Sequence, residues 1–473
     1  MGSEQSSSKM RGTLAGLVLA GSLALPFVAS AQTVAFADTR REVTYAADVE
    51  PIFRENCVSC HHPGTSAPMA LESYQDVRRW ATRIKVAVEN RMMPPGWYID
   101  RTVGVQHFKN DPSLAEEDIE TISRWVDAGS PAGDLSQIPP APEWKGEHEY
   151  WQLEDEHGWG PPDFIISAPP YLVPAESGDQ WYEPETALSE VIDKQLGGAR
   201  WIRALETRPG DPMSGYVFHH VNTGLIRANA SGENDGDGGG LTDAAVGKRI
   251  DMYPDDSGKL VLPDDRIRFS LHLYSIGEEV EANVQIGVWL YPEGEQPKYA
   301  TEDETSFNSG ESRSLGLPRY TDMLVPPHGY QELRGSFVLD QNARVHSVRG
   351  HMHLRGGYQM MEAIYPDGRR EVISKIDWNH LWHTTHIYED WAQPLLPKGT
   401  VIIATSLLDN TAQNPSNPDP DQWVVYGRRS VSEMAHIRFG ITYIPDEDFQ
   451  QMLEERERVL EERERGGQPI ASR

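Results

Sequence analysis

The sequence predicts a multidomain protein, with a small all-α N-terminal domain followed by two antiparallel, jelly-roll-like β-sandwiches. Three observations lead there. Apolar residues at helical spacing are confined to residues 42–134 and to the C-terminus. From about 164 to 445, short apolar alternations are punctuated by Gly and Pro turns. A chain of 473 residues with 38% hydrophobic content has length and core material for about three domains.

Residues 1–31 read as a signal peptide. Lys9 and Arg11 give a positive start, residues 14–28 are apolar, and Ala29-Ser30-Ala31 is a small-x-small cleavage site before Gln32. The apolar run is short for a bilayer span, and no later segment is long and apolar enough to cross one. The expectation is an exported protein, periplasmic or secreted, with no membrane span; retention of the leader as an anchor is the alternative.

In the helical domain (42–134), Val49, Ile52 and Phe53 precede the run Cys57-Val58-Ser59-Cys60-His61. C-x-x-C-H is a covalent haem attachment motif. Two thiols one helical turn apart each form a thioether to a porphyrin vinyl group, and the adjacent histidine becomes an axial iron ligand. A redox dithiol does not need His61, and a zinc site lacks its second cysteine pair. Val77, Trp80, Ile84 and Val88 mark a second helix. A third, with Ile119, Ile122, Trp125 and Val126, is expected to open on a capping box of Ser113 and Glu116 and to close at Gly129. These 90 or so residues resemble the class I cytochrome c family. The resemblance implies a methionine as second axial ligand, from a loop before the last helix. Arg91-Met92-Met93-Pro94-Pro95-Gly96 occupies that place, with Met93 favoured and Met92 the alternative. His62 reads as a surface residue.

Residues 135–163 read as an irregular linker lying along the next domain. The sandwiches are expected at 164–300 and 315–445, bridged by a polar stretch. Ser231-Gly232-Glu233-Asn234-Asp235 and the glycine-rich residues after it read as a solvated loop. Residues 446–473 form a charged C-terminal helix and tail, packed on the body or used for oligomerisation.

Four clusters in the β region carry a second chemistry: His219 with His220, His272, the pair His351 and His353, and Met434. On a strand, side chains alternate between faces. Phe269, Leu271 and Leu273 therefore face the core and His272 faces away. His351 and His353 share one face, a chelating arrangement. Met434 falls on the polar face opposite Ile437, Phe439 and Ile441, and a metal gives a thioether a reason to be there. His219 and His220 can act together only at a strand end or bulge.

The order H-H, H, H-x-H, M, with Lys398-Gly399-Thr400, Asp409-Asn410 and Glu433 around it, resembles the copper type II, ascorbate-dependent monooxygenases. That is the family of peptidylglycine α-hydroxylating monooxygenase and dopamine β-monooxygenase. The resemblance implies two copper ions, one on His219, His220 and His272 for electron transfer, the other on His351, His353 and Met434 to meet dioxygen. It also offers Arg349 as a holder of a substrate carboxylate, with a surface or structural arginine as the favoured alternative. His380, His383 and His386 read as structural, with an extra metal as the alternative. The chain departs from the animal enzymes in having no cysteines left for disulfide bracing.

The net charge of -29 excludes nucleic acid as a partner. The expected partners are a small-molecule substrate, O2 and an external electron donor, either ascorbate or a redox protein. The function expected is hydroxylation of a C–H bond with electrons from the fused haem. The alternative is a haem/copper electron-transfer protein without oxygenase activity.

Overall fold

The computed structural model describes residues 41–466 apart from 64, 66, 68, 95–98, 110, 142–143, 192–197, 228–235, 246–247 and 309–322. The leader, Gln32, Pro95, Gly96 and the residues at 231–235 lie outside the described residues. Among the described residues no helix is long and apolar enough to cross a membrane.

Strands hold 37% of the described residues and helices 20%. The separate all-α domain expected at 42–134 is not found. The helices Glu50–Asn56, Tyr74–Glu89 and Glu116–Asp127 belong to a compact unit, Val43–Arg473, that includes all the sheets. Between the second and third helices the chain leaves its helical neighbours. Ile99 bridges to Ile376 and Phe108 to Tyr388, and both side chains are buried in the core of the second sandwich. Phe108 is stacked on Tyr388 at 5.2 Å, and burying a side chain of that size stabilises by about 2–3 kcal/mol. The apolar residues of this connection complete a β core, so the helices are fastened to the sheets.

The helices themselves meet around Phe53, Val77, Ile122 and Trp125. Gly129 at φ 87° turns the chain after the third helix, as expected. The capping box does not form: Ala115 is the N-cap, and the Ser113 hydroxyl is taken by Asp111. His62 is also corrected. It is buried and stacked face-on upon Trp144 at 4.4 Å, so the linker covers it. Further along the linker, Trp151 and Leu153 pack on Ala204 and Trp289.

Two sandwiches follow. The first has Phe164–Ser167, Val284–Leu290, Arg200–Pro209 and Ser257–Val261 in one sheet. Gln180–Tyr182, Arg266–Leu273, Phe218–Arg227 and Gly236–Ala245 form the other. They enclose a core that includes Ile202, Leu205, Phe269, Leu271 and Ile286. In the second, Tyr299–Asn308, Ala435–Ile444, Asn342–Met352 and His386–Ile387 belong to one sheet. Tyr330–Val338, Val401–Asp409, Gly356–Ile364 and Arg370–Asp377 form the other, around Val345, Val348, Ile402, Ile437 and Phe439.

The boundary between the sandwiches is not a loop. Tyr299–Asn308 pairs antiparallel with Ala435–Ile444, while Tyr299 and Ala300 run parallel to Ser257 and Gly258. One sheet therefore passes through both sandwiches. The glycine-rich stretch expected as loop is strand from Gly236. The C-terminal helix Asp446–Arg465 seats Phe449 against Tyr299 and Ile444.

Candidate metal centre

The first set of histidines is brought together by a register shift. His272 pairs with His220, but Leu273 pairs with Phe218, so His219 is the extra residue of a bulge. That irregularity lets two adjacent histidines face the same partner. The ligand nitrogens of His219, His220 and His272 all lie within 4.8 Å of one another, and His219 Nδ1 is 3.2 Å from His272 Nδ1. Two imidazoles on one ion at about 2.0–2.1 Å place their nitrogens about 3 Å apart, so this spacing fits a shared metal.

The electrostatics suit a cation. Burial pushes His219 and His272 down to about 4, and His220 well below the usual histidine range. At neutral pH all three rings are uncharged and carry a lone pair for a metal. Trp181 stacks on His272 at 4.4 Å. Asp179 Oδ2 lies 3.7 Å from His272 Nε2 and accepts the Ser430 backbone N–H at 2.8 Å. The Asn222 side-chain amide lies 3.0 Å from His220 Nδ1, which leaves Nε2 for a ligand role.

The second set lies on the edge-to-edge pair Asn342–Met352 and Ala435–Ile444. His351 pairs with His436 and Met352 with Ala435; His353 and Met434 come next in sequence, just beyond the paired residues. His351 and His353 share a face, with ring centroids 5.3 Å apart. His353 Nδ1 is 3.2 Å from the Ser432 carbonyl, which again leaves Nε2. Burial pushes His353 down to about 4 and His351 well below the usual range. Met434 is buried.

Two buried side chains hold this set in place. Glu433 accepts the backbone N–H groups of His353 at 2.9 Å, Arg355 at 2.6 Å and Met434 at 3.2 Å. Gln359 accepts from His351 N–H at 2.8 Å and donates to Ser406 Oγ at 2.9 Å. Arg349 is buried. One of its nitrogens donates to Asn222 Oδ1 at 3.0 Å, and it forms an ion pair with Asp243. Arg438 donates to the same Asn222 oxygen at 3.0 Å.

The two sets adjoin, since the ring centroids of His220 and His351 are 5.8 Å apart. Sequence reasoning missed the residue between them. His383, read as structural, is buried with its ring 5.0 Å from His351, 5.2 Å from His219 and 5.4 Å from His220. It also missed Asp179, Trp181, Asn222 and Gln359, whose roles come from cross-strand placement that no local spacing carries. His386 packs on Phe108 at 5.4 Å, and His380 is half-buried.

At the C-x-x-C-H run, Cys57 ends the helix Glu50–Asn56, and the backbone N–H groups of Cys60 and His61 donate to its carbonyl at 3.2 and 2.9 Å. His61 Nδ1 lies 3.0 Å from the Met69 carbonyl. That contact orients the ring and leaves Nε2 for iron. Burial pushes the Cys57 thiol up to about 12, which disfavours a reactive thiolate. Met92 is 56% exposed, whereas Met93 is half-buried.

No family model and no curated protein matches the chain. Solved structures that align with it include one of the infectious bursal disease virus Gx strain, at 11% identity over 67% of this chain and 92% of that one, TM-score 0.14. Another is the infectious bursal disease virus VP2 subviral particle, at 10% identity over 64% and 89%, TM-score 0.14. A third is procruciferin, the 11S globulin from Brassica napus, at 9% identity over 59% and 84%, TM-score 0.12. Likeness at these TM-scores carries no argument about fold or function.

Proposed function

We propose that this protein is an exported copper- and haem-dependent monooxygenase that hydroxylates a C–H bond of a small organic substrate with O2. The observation that carries the reading is the convergence of His219, His220 and His272 to within 4.8 Å, next to His351 at the head of the second set. Residues from three separated stretches of sequence meet there as uncharged nitrogen donors.

When bound, the coppers would supply one-electron storage and activation of dioxygen, and the haem a one-electron entry. His219, His220 and His272 would hold one copper. His351, His353 and Met434 would hold the other, the thioether favouring Cu(I). Cys57 and Cys60 would carry the haem, with His61 and Met93 as its axial ligands. Asn222 links the sets: it touches His220 and receives Arg349 and Arg438 from the second sandwich. A cavity of about 60 Å³ lies between the sandwiches, lined by Thr223, Asp243, Tyr253, His346, Arg349 and Arg438 among others. The segment after the Met93 run, with Ile99 and Phe108, packs against His386 and Tyr388, close in sequence to His383.

The test is to reduce the haem, load the protein with copper, admit O2 and follow haem reoxidation with oxygen uptake against candidate substrates. The reading predicts reoxidation dependent on copper, and product formed in proportion to oxygen consumed once a substrate is supplied. Haem reoxidation unaffected by copper would overturn the proposed electron route. Copper-dependent reoxidation without product from any substrate class would favour simple electron transfer.

A further inference from the structure

We infer that His383 is a metal ligand of the second set, paired with His351. This rests on the reading above that the cluster holds copper. His351 Nδ1 and His383 Nδ1 face each other at 3.1 Å, nearly the spacing of His219 Nδ1 and His272 Nδ1 in the first set. Nitrogens bound to one ion at about 2.0–2.1 Å stand about 3 Å apart. The same geometry that marks the first site therefore recurs in the second, with His383 as the partner.

The surroundings leave His383 little else to do. It is 4% exposed, and the charged or titratable groups that act on it include His219, His272, His353 and Arg349, none of them an acid. Two neutral imidazoles meeting nitrogen to nitrogen can share one proton in a hydrogen bond, and the same spacing fits a cation held between two lone pairs. The ring is held edge-on to Trp378 at 5.3 Å, and Trp378 donates to the His353 carbonyl at 2.8 Å. One indole thus braces two members of the set. The turn at Asn379, which accepts the Trp382 N–H at 3.1 Å and caps Leu381 N–H at 3.0 Å, delivers His383 inward. Because His383 also approaches His219 and His220, the two metal positions belong to one continuous histidine cluster.

The experiment is a copper titration of the full-length protein, read by bound copper per chain and by the EPR of the Cu(II) form, in wild type, His383→Ala and His383→Gln. Wild type is expected to bind two coppers with magnetically interacting signals. Both variants should keep the first copper, with its EPR signature, and bind the second at least about 100-fold more weakly, beyond the range for loss of an outer-shell partner. Retention of the first copper shows that the variant is folded. Two coppers bound with unchanged affinity and nitrogen hyperfine pattern in both variants would overturn the role of His383 while leaving the broader reading intact. Wild-type protein that binds no copper would overturn both.

Discussion

Gly350→Ala is a one-methyl perturbation whose consequence can be followed from the packing into the site. Gly350 precedes His351 on the strand Asn342–Met352. A Cβ there would stand 2.5 Å from Gln359 Oε1 and 3.3 Å from Ile376 Cδ1. Gln359 is fully buried and holds the His351 amide at one end and Ser406 at the other. To admit the methyl it has to retreat by at least about 0.5 Å, which pulls its oxygen from the His351 N–H. Overpacking of this kind costs about 1–3 kcal/mol, and a buried backbone N–H left unpaired costs about 1–3 kcal/mol more. Calorimetry of the metal-free protein should show a loss of about 2–6 kcal/mol. Copper affinity at the second set should fall about 10–100-fold through loss of this outer support, with the first set unchanged. In Gly350→Ala/Gln359→Ala the collision is absent, so the double variant should cost less than the sum of the singles. A melting temperature within 1 °C of wild type, with copper binding intact, would refute the reasoning.

Three other perturbations have defined outcomes. Phe108→Ala should cost about 3–5 kcal/mol by leaving a cavity against Tyr388, and limited proteolysis should then cut the segment around residue 108 first; a variant as stable and as resistant as wild type would contradict that fastening. Gly440→Ala would place a methyl on the buried His346 ring and Ser347 hydroxyl, so its melting temperature should drop, and His346→Ala should restore part of the loss. Burial pushes His346 and His386 down to about 3 from an ordinary 6.5. The unfolded chain therefore binds more protons below pH 6.5, so their contribution to stability is complete above that pH and declines toward pH 3, by up to about 1.4 kcal/mol per group per pH unit. Metal-free protein should melt lower at pH 5 than at pH 7, and His346→Gln should flatten the dependence; equal slopes in the two proteins would count against it.

Much of this was legible in the chain. The alternation that set Phe269, Leu271 and Leu273 against His272 holds, because strand parity is a local property. The condition placed on His219 and His220, a strand end or bulge, is met by the shift opposite His272. What the sequence hid is non-local. His383 belongs to the cluster because a turn carries it to His351, 32 residues away. A distance of that kind leaves no period to read. The all-α domain was misjudged for a related reason. Helical spacing identifies helices, but it does not say that Ile99 and Phe108, between two of them, complete the core of a β-sandwich. The break expected near residue 300 was placed on polar composition, and Tyr299–Asn308 joins the sheets through backbone pairing, to which composition is blind.

The central claim is that the histidines and Met434 gather around copper. Anomalous scattering recorded on either side of the copper absorption edge, from crystals of protein purified without added metal chelators, tests it most directly. The account predicts one copper peak enclosed by His219, His220 and His272 and another by His351, His353, His383 and Met434. A cluster whose imidazoles are bonded only to one another and to water, with no anomalous density among them after copper is supplied, would contradict it.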